Sequence, residues 1–177
     1  FCINSSLVYD IAFLSKEIFG YYKEKKGVIT IFPADYDKAV LKNNYLRINK
    51  NEYYSLFVDY LKYLKFEKIL IIASDIFQDN DATKELYEIL KLKYLNVNIV
   101  KINNCLDYIK KIASSETIIS SRMHPLIIGS SYNKKVLPVC ISSKINELIK
   151  ILKNETVRDI KDRINKFYQS LNIKIWL

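Results

Sequence analysis

Short apolar runs rich in β-branched residues alternate along this chain with longer amphipathic stretches, and this alternation constrains the fold most strongly. The apolar runs are residues 28–32, 69–73, 97–100, 117–120 and 136–141. Runs of this length are typical of buried strands. Apolar residues recur at helical spacing over residues 52–64, from 79 or 80 to 90, 106–113, 125–132, 145–152 and 157–171. Strands that alternate with helices predict βαβ units and a parallel sheet.

Right-handed crossovers favour the strand order 3-2-1-4-5, which describes a Rossmann-like α/β domain of about five strands with helices on both faces. Pro138 lies in the fifth run. Proline has no N–H for a ladder and prefers an edge strand, which is where this order puts the fifth strand. We assign residues 23–177 to the domain. Residues 1–22, which contain an apolar helical stretch and no strand, form a lead-in segment.

Composition limits the classes of partner. The formal net charge is +9, but the lysines are scattered and no nucleic-acid-binding signature occurs, so we expect no nucleic-acid partner. A solvated surface is the simplest interpretation, with peripheral contact to an anionic membrane as an alternative. No apolar run approaches the roughly 20 residues of a membrane span, and no signal peptide is visible. We expect a cytoplasmic protein, with the inner face of the membrane as an alternative location.

The candidate site follows the fourth strand, at Ser120-Ser121-Arg122-Met123-His124-Pro125. Ligands of open parallel sheets bind at the carboxyl ends of the strands where the order reverses, here between strands 1 and 4. Pro125 suits the first position of a helix, and the residue before a proline prefers an extended backbone. We therefore predict that His124 is extended and that Arg122 points to the same side. A helix N-terminus with these side chains predicts a site for phosphate or carboxylate.

A plainer interpretation fits the same residues equally well. Ser121 then caps the helix, Arg122 forms a surface salt bridge and His124 is a turn residue. Ser143 and Lys144 follow the fifth strand at the same edge of the sheet. Capping of the next helix and ligand binding are about equally good interpretations there.

Two other groups of residues have structural explanations. Asp75, Asp79 and Asp81 have a spacing that hints at metal ligands, but helix capping explains them more simply. With one histidine and three scattered cysteines in the chain, we expect no metal site. The tyrosines of the first long helix have helical spacing and are interpreted as half-buried packing residues: Tyr53, Tyr54, Tyr60 and Tyr63.

Residues 118–129, continuing through 135–139 to 142–144, resemble the polysaccharide pyruvyl transferases. Members show a strand, Ser-Arg-x-His, an apolar helix, a Gly-Lys-Pro-Val-like strand and then a lysine. The resemblance implies the carboxyl-terminal, donor-binding half of a GT-B-like enzyme with two Rossmann-like halves, whose amino-terminal half is missing here. It implies transfer of pyruvate from phosphoenolpyruvate to a hydroxyl of a glycan or lipid-linked sugar, in surface polysaccharide synthesis.

By the same resemblance, Arg122 and His124 are the catalytic residues and phosphoenolpyruvate is the donor substrate, with no cofactor. The substrate-binding residues are then Ser120, Ser121, Ser143 and Lys144. The sequence departs from the family pattern in two places. Residues 33–35 read Pro-Ala-Asp where members often carry an arginine, for which Arg47 is a candidate substitute, and Asn133 replaces the usual small residue after the fourth helix.

Two other functions stay open. A GT-B glycosyltransferase half that binds a nucleotide-sugar would use the same crevice and the same helix N-terminus. A diverged, non-catalytic interaction module would keep the fold without the chemistry.

Overall fold

The computed structural model describes residues 10–38 and 48–170, and in this part of the chain the predicted strands form one parallel sheet. The strands are β1 (Val28–Phe32), β2 (Lys68–Ile71), β3 (Val97–Ile99), β4 (Thr117–Ser120) and β5 (Lys135–Pro138). Their order is β3-β2-β1-β4-β5, and every neighbouring pair is parallel. The predicted order is confirmed, and Pro138 lies on an edge strand. The predicted fifth run extended to residue 141, but β5 ends at Pro138. Its pairing partner β4 ends opposite, at Ser120, because the chain after Ser120 turns into a helix.

The helices agree with the amphipathic stretches to within a few residues. They are α1 (Ser15–Phe19), α2 (Lys50–Lys62), α3 (Asn80–Lys91), α4 (Cys105–Ser114), α5 (Met123–Ser131), α6 (Ser143–Asn154) and α7 (Val157–Ser170). α2 begins with a capping box, in which the Asn49 side chain accepts from Glu52 N and the Glu52 carboxylate accepts from Asn49 N. Both bonds satisfy N–H groups that a helix start leaves unpaired. None of the described helices is long and apolar enough to cross a bilayer.

The sheet separates two apolar layers. On one side, Ile29 and Ile31 of β1 pack with Tyr53, Phe57 and other residues of α2, together with residues of α3, α6 and α7. On the other side, Phe32 packs with residues of α4 and α5. Successive side chains of a strand point to opposite faces, so β1 contributes to both layers. The prediction of helices on both faces is confirmed.

The described part of the lead-in segment packs on the domain. Residues Ile11–Leu14 form a turn of 3₁₀ helix that runs into α1, and Phe13 and Leu14 are buried. The Tyr132 hydroxyl donates to Ser15 O at 3.2 Å. This packing brings Asp10, at the start of the segment, to the carboxyl edge of the sheet beside α5. The first nine residues of the predicted lead-in lie outside the described residues.

α5 is seated unusually close to the sheet. A Cβ added at Gly129 would lie 2.9 Å from Val136 Cγ1 and 3.2 Å from Ile118 Cγ1. Two residues after the end of the helix, Asn133 has a left-handed φ of 57°. Asn133 N donates to Ser130 O at 3.0 Å and Lys134 N donates to Gly129 O at 2.9 Å, the two bonds of a Schellman motif. Asparagine tolerates this conformation, so Asn133 fulfils the geometric role of the small residue that the family pattern has here.

Candidate functional site

A cavity of about 830 Å³ opens at the carboxyl edge of the sheet. It is bordered by Arg122 and His124 at the start of α5, by Lys144 at the start of α6, by Asp75 after β2 and by Tyr108 of α4. The N-termini of α5 and α6 both reach its wall, because in a parallel sheet every helix that follows a strand begins at the carboxyl edge. Parallel topology thus gathers residues that are far apart in sequence.

Arg122 is held by a buried carboxylate. Its Nε donates to Asp79 Oδ2 at 3.0 Å, and its Nη2 donates to Asp79 Oδ1. Asp79 is fully buried, and its two oxygens also accept the backbone N–H groups of Asp35 and Asp75, each at 3.1 Å. A carboxylate with four donors is fixed in place, and it fixes the guanidinium in turn.

One edge of the guanidinium stays available. Asp79 occupies the Nε–Nη2 edge, and no described residue accepts from Nη1. The Arg122 side chain is 28% exposed and borders the cavity. Burial alone would lower the pKa of Arg122, but the hydrogen bonds and negative charge of Asp79 outweigh it and raise that pKa. Arg122 therefore presents a permanently charged, oriented donor edge to an anion.

The backbone at Arg122 is fixed by the serine before it. Ser120 Oγ accepts from Arg122 N at 2.9 Å and donates to Arg122 O at 2.8 Å. Ser120 is fully buried and does not border the cavity, so in this structure its hydroxyl supports the turn. The predicted role of Ser120 in substrate binding stays a prediction.

Ser121 borders the cavity and belongs to a buried hydrogen-bond network, and its predicted role in substrate binding stays a prediction. Its Oγ accepts from Ala34 N at 2.7 Å and lies 2.8 Å from the Tyr53 hydroxyl, which also donates to Ala34 O at 2.9 Å. Tyr53 is fully buried, and burial raises the pKa of its phenol. The network ties the ends of β1 and β4 to α2. Ser121 does not cap α5, and Tyr53 does more than pack.

Of the other tyrosines in and just after α2, two pack against the domain and one is exposed. Tyr54 is buried and donates to Glu85 Oε2 at 2.6 Å, and Tyr60 is half-buried and donates to Pro138 O at 2.9 Å. Both pack in or against the core, as predicted, although Tyr54 is more buried than expected. Tyr63 does not pack, because it lies beyond the last turn of α2 and is 87% exposed.

The backbone of His124 is helical, which differs from the prediction. α5 begins at Met123, so His124 is in the first helical turn rather than extended, and Pro125 is the third helical residue rather than the first. Arg122, just before the helix, is the extended residue, with φ −111° and ψ 143°. A proline in the first turn of a helix lacks an N–H that would be unpaired anyway, so the helix can start two residues earlier than expected.

The His124 imidazole has a carboxylate partner. Its Nε2 lies 3.3 Å from Asp10 Oδ2, and Asp10 Oδ1 accepts from Ala12 N at 2.9 Å. The hydrogen bond to Asp10 raises the pKa of His124, against smaller opposing effects of burial and of the Lys144 charge. The same hydrogen bond lowers the pKa of Asp10. His124 is therefore protonated over a wider pH range than a free imidazole.

At α6 the serine cap and the candidate ligands are different residues. The Ser142 side chain accepts from Ile145 N and caps the helix, while Ser143 and Lys144 form its exposed first turn. Both border the cavity. Lys144 is near enough to lower the pKa of His124 by its charge.

The three aspartates after β2 have separate partners. Asp79 holds Arg122 and makes no side-chain capping bond, which corrects the capping interpretation for this residue. Asp75 accepts from Phe77 N at 2.9 Å, and Asp81 is exposed beside Lys84. The described residues contain no group of three or more candidate metal-ligating side chains. Arg47 lies outside the described residues.

Two acids orient the site, and sequence reasoning missed Asp10 and gave Asp79 a different role. Asp79 is one of three aspartates in a polar loop, and no local pattern separates the buried one from the exposed ones. Asp10 lies in the lead-in segment, which carries no motif. The signal that was available is indirect: a buried arginine requires an acid, and the carboxyl edge of a neighbouring strand is where one would lie.

The assembled groups suit a small ligand with more than one negative charge. The Nη1 side of Arg122, the Lys144 ammonium and the His124 imidazolium border one cavity, beside the N–H groups at the start of α5 and α6. These groups offer a planar fork, a mobile point charge and a proton donor.

Among comparisons with known proteins, the family model is the informative one. No curated protein matches the chain. Among solved structures, UDP-GlcNAc 2-epimerase from Neisseria meningitidis bound to UDP-GlcNAc is similar over 90% of this chain, with 18% identity and a TM-score of 0.44. The match covers 39% of that protein, so this chain spans well under half of its length. The family model for polysaccharide pyruvyl transferase matches residues 1–143. Since that match covers most of the chain, from the lead-in segment to the start of α6, the chain belongs to the polysaccharide pyruvyl transferase family.

Proposed function

We propose that this chain is the donor-binding half of an enzyme that transfers pyruvate from phosphoenolpyruvate to a sugar hydroxyl. The observation that carries the proposal is the oriented guanidinium of Arg122, held by buried Asp79 and bordering the same cavity as His124 and Lys144. Family membership supports the reaction class.

Phosphoenolpyruvate matches the charges of the site. It carries a carboxylate and a phosphate on the same carbon, and the Nη1–Nη2 edge of Arg122 is suited to bind one of them with two parallel hydrogen bonds. Lys144 supplies a mobile charge for the other. A cavity of about 830 Å³ is larger than this small donor needs and leaves room for part of an acceptor sugar.

The reaction asks for a proton donor at the donor's methylene carbon. In the proposed step, His124 gives its proton to that carbon and an oxocarbenium-like centre forms at the neighbouring carbon. Attack by two sugar hydroxyls forms two C–O bonds and expels phosphate, and the ketal results. Of the two hydroxyl protons, one returns to His124 and the other leaves with phosphate. The raised pKa of His124 favours its acid form near neutral pH.

Further parts of the proposal concern the acceptor, the location of the reaction, the missing half of the enzyme and Ser143. The acceptor is a glycan or a lipid-linked sugar of surface polysaccharide synthesis, the reaction takes place in the cytoplasm, and the amino-terminal half of the enzyme supplies the acceptor site. Ser143 is proposed to bind the donor beside Lys144, since both are in the exposed first turn of α6.

A thermal-shift series tests the donor. The ligands are phosphoenolpyruvate, pyruvate, inorganic phosphate, UDP and CMP, added to the chain and to its full-length parent. A ligand at 100 times its Kd adds about 2.7 kcal/mol to the free energy of unfolding, which is easily measured. We expect stabilisation by phosphoenolpyruvate that is lost in Arg122→Ala and reduced in Lys144→Met and His124→Gln. Arg158→Ala, at an exposed position of α7, is the matched control.

Arg122→Ala removes the partner of a buried carboxylate and can destabilise the fold, whereas Lys144→Met and His124→Gln change exposed side chains and keep the test interpretable. Undiminished stabilisation in all three variants would place the donor elsewhere. Stabilisation by UDP or CMP in preference to phosphoenolpyruvate would favour a nucleotide-sugar glycosyltransferase. If no ligand stabilises the full-length parent, the result would support a non-catalytic module.

A further inference from the structure

The loops that precede the strands carry a dense positive charge. Exposed lysines occur in the segments before β1, β2 and β3 and at the first residue of β5: Lys23, Lys25, Lys26, Lys65, Lys93 and Lys135. We call residues 21–27, 62–67, 91–96 and 132–135 the amino edge, because the strand register aligns the first residues of the strands there. The chain's lysines are scattered in sequence, but the parallel sheet collects these at one end.

These lysines are not neutralised by neighbouring acids. None of the six has a salt bridge with a described residue, whereas Lys62 and Lys91 pair with Asp59 and Glu88 within their own helices. Glu24 of the amino edge pairs with Lys134 at 2.6 Å, and Glu116, just before β4, accepts from Gly27 N. Glu67 of the amino edge is exposed and has no salt bridge with a described residue. Favourable interaction with helix C-termini accounts for Lys62 and Lys91, but not for Lys65 or Lys93, which lie beyond the helix ends.

Large apolar side chains stand out from the same surface. Leu95 is fully exposed, Tyr63 and Leu92 are each 87% exposed, and Tyr21 is 77% exposed. Single exposed apolar residues need no explanation, but these four lie in the loops that also carry the lysines. Their exposure is unfavourable in water and points to a partner that covers them.

The loops form one rigid surface. Phe66 and Tyr94 make an edge-to-face contact with their ring centroids 5.3 Å apart, which joins the Tyr63 loop to the Leu92–Leu95 loop. The Asn96 side chain donates to Glu67 O at 2.9 Å, and Glu67 N donates to Gly27 O at 2.8 Å. The apolar residues and the lysines are therefore presented together, without a large loss of conformational entropy on binding.

We propose that the amino edge docks this protein onto an anionic membrane surface. The lysines contact lipid phosphates, Leu92 and Leu95 enter the interface, and Tyr21 and Tyr63 lie at the level of the headgroups. The combination selects this partner: a nucleic acid would use the lysines but would leave the leucines in water, and an apolar protein groove would not require the lysines.

The proposal is independent of the proposed function. The cavity with Arg122 and His124 opens at the carboxyl edge, and the amino edge is at the opposite end of every strand. Membrane docking therefore leaves the cavity open, and loss of docking leaves phosphoenolpyruvate binding unchanged. The two proposals can fail separately.

Vesicle co-sedimentation of the whole chain tests the docking. The vesicles are phosphatidylcholine alone and phosphatidylcholine with phosphatidylglycerol, each at low and high salt. We expect binding to the anionic vesicles that weakens with salt. Each lysine near an anionic surface contributes about fivefold, so the pair Lys65→Glu and Lys93→Glu weakens binding about 30-fold or more. The pair Leu92→Ser and Leu95→Ser weakens it about tenfold or more.

The matched control is the charge-reversal pair Lys84→Glu and Lys101→Glu, on the carboxyl side of the domain, which should leave binding nearly unchanged. Thermal melts of all variants check that folding is intact, which the exposure of these side chains favours. Equal binding to neutral and anionic vesicles, equal losses in the control pair, or no binding to either vesicle would overturn the proposal. So would a loss confined to the lysine pair, or tighter binding to single-stranded RNA than to vesicles, since the leucines would then have no role.

Discussion

Replacing Asp79 with asparagine tests whether a buried carboxylate organises the site. The carboxylate accepts two bonds from Arg122 and two from backbone N–H groups. Asparagine keeps the shape of the side chain but loses the negative charge. Its amide NH₂ would face N–H groups that now donate to the carboxylate. Breaking a fully buried pair costs about 3–5 kcal/mol. Because the Arg122 side chain is 28% exposed and can be partly rehydrated, we expect the lower end, about 3 kcal/mol.

Urea denaturation and thermal melts measure this cost. For a domain of this size, about 3 kcal/mol lowers Tm by roughly 6–12 °C. The matched control is Asp81→Asn two residues further on, since Asp81 is exposed and its contact with Lys84 is a surface pair at 3.4 Å, so we expect a change of less than about 0.5 kcal/mol. Freed from its partner, Arg122 must be ordered by the ligand itself. That ordering costs about 1 kcal/mol, or roughly fivefold weaker binding of phosphoenolpyruvate.

A double-mutant cycle with Arg122→Met isolates the pair. We expect a coupling energy of at least about 1.5 kcal/mol between Asp79→Asn and Arg122→Met. The reasoning is refuted if Asp79→Asn is as mild as Asp81→Asn, or if the two changes are additive. Either result would mean that the hydrogen bonds seen in the structure contribute little, and that Arg122 is not oriented by Asp79.

Three further predictions concern His124 and the seating of α5. His124 is the sole histidine, so its NMR titration needs no assignment. We expect a pKa above 6.5 that moves back toward that value in Asp10→Asn, and an unchanged titration in that variant would contradict this. The contact then stabilises the fold most between about pH 4, near the pKa of a free carboxyl group, and about pH 6.5. It is lost as pH rises through the raised pKa of His124 or falls through the lowered pKa of Asp10. Gly129→Ala should destabilise the fold by about 1–2 kcal/mol in urea unfolding, because the added Cβ would meet Val136 Cγ1 at 2.9 Å, and the loss should shrink in a Val136→Ala background. Asn133→Val should cost about 1–2 kcal/mol in the same assay and Asn133→Gly almost nothing, since φ is 57°; equal effects would argue against the Schellman end.

The sequence by itself determined the sheet, its order and the edge where the candidate site lies. The runs at residues 28–32 and 117–120 are apolar enough to identify strands buried on both faces, and right-handed crossovers then leave few possible orders. Parallel topology puts the loop after β4 at the carboxyl edge, whatever its side chains contact. This part of the prediction depended on local pattern and on chain geometry, which a single sequence carries.

The tertiary structure decided which groups meet. Arg122 and Asp79 are 43 residues apart, and Asp10 reaches His124 from the lead-in segment. Such pairs depend on how closely elements approach, and that is set by packing, as at Gly129. The scattered lysines became one surface for the same reason. Local periodicity records which side of an element is buried, but it carries no information about the partner on the other side, so these contacts emerge only when the elements pack together.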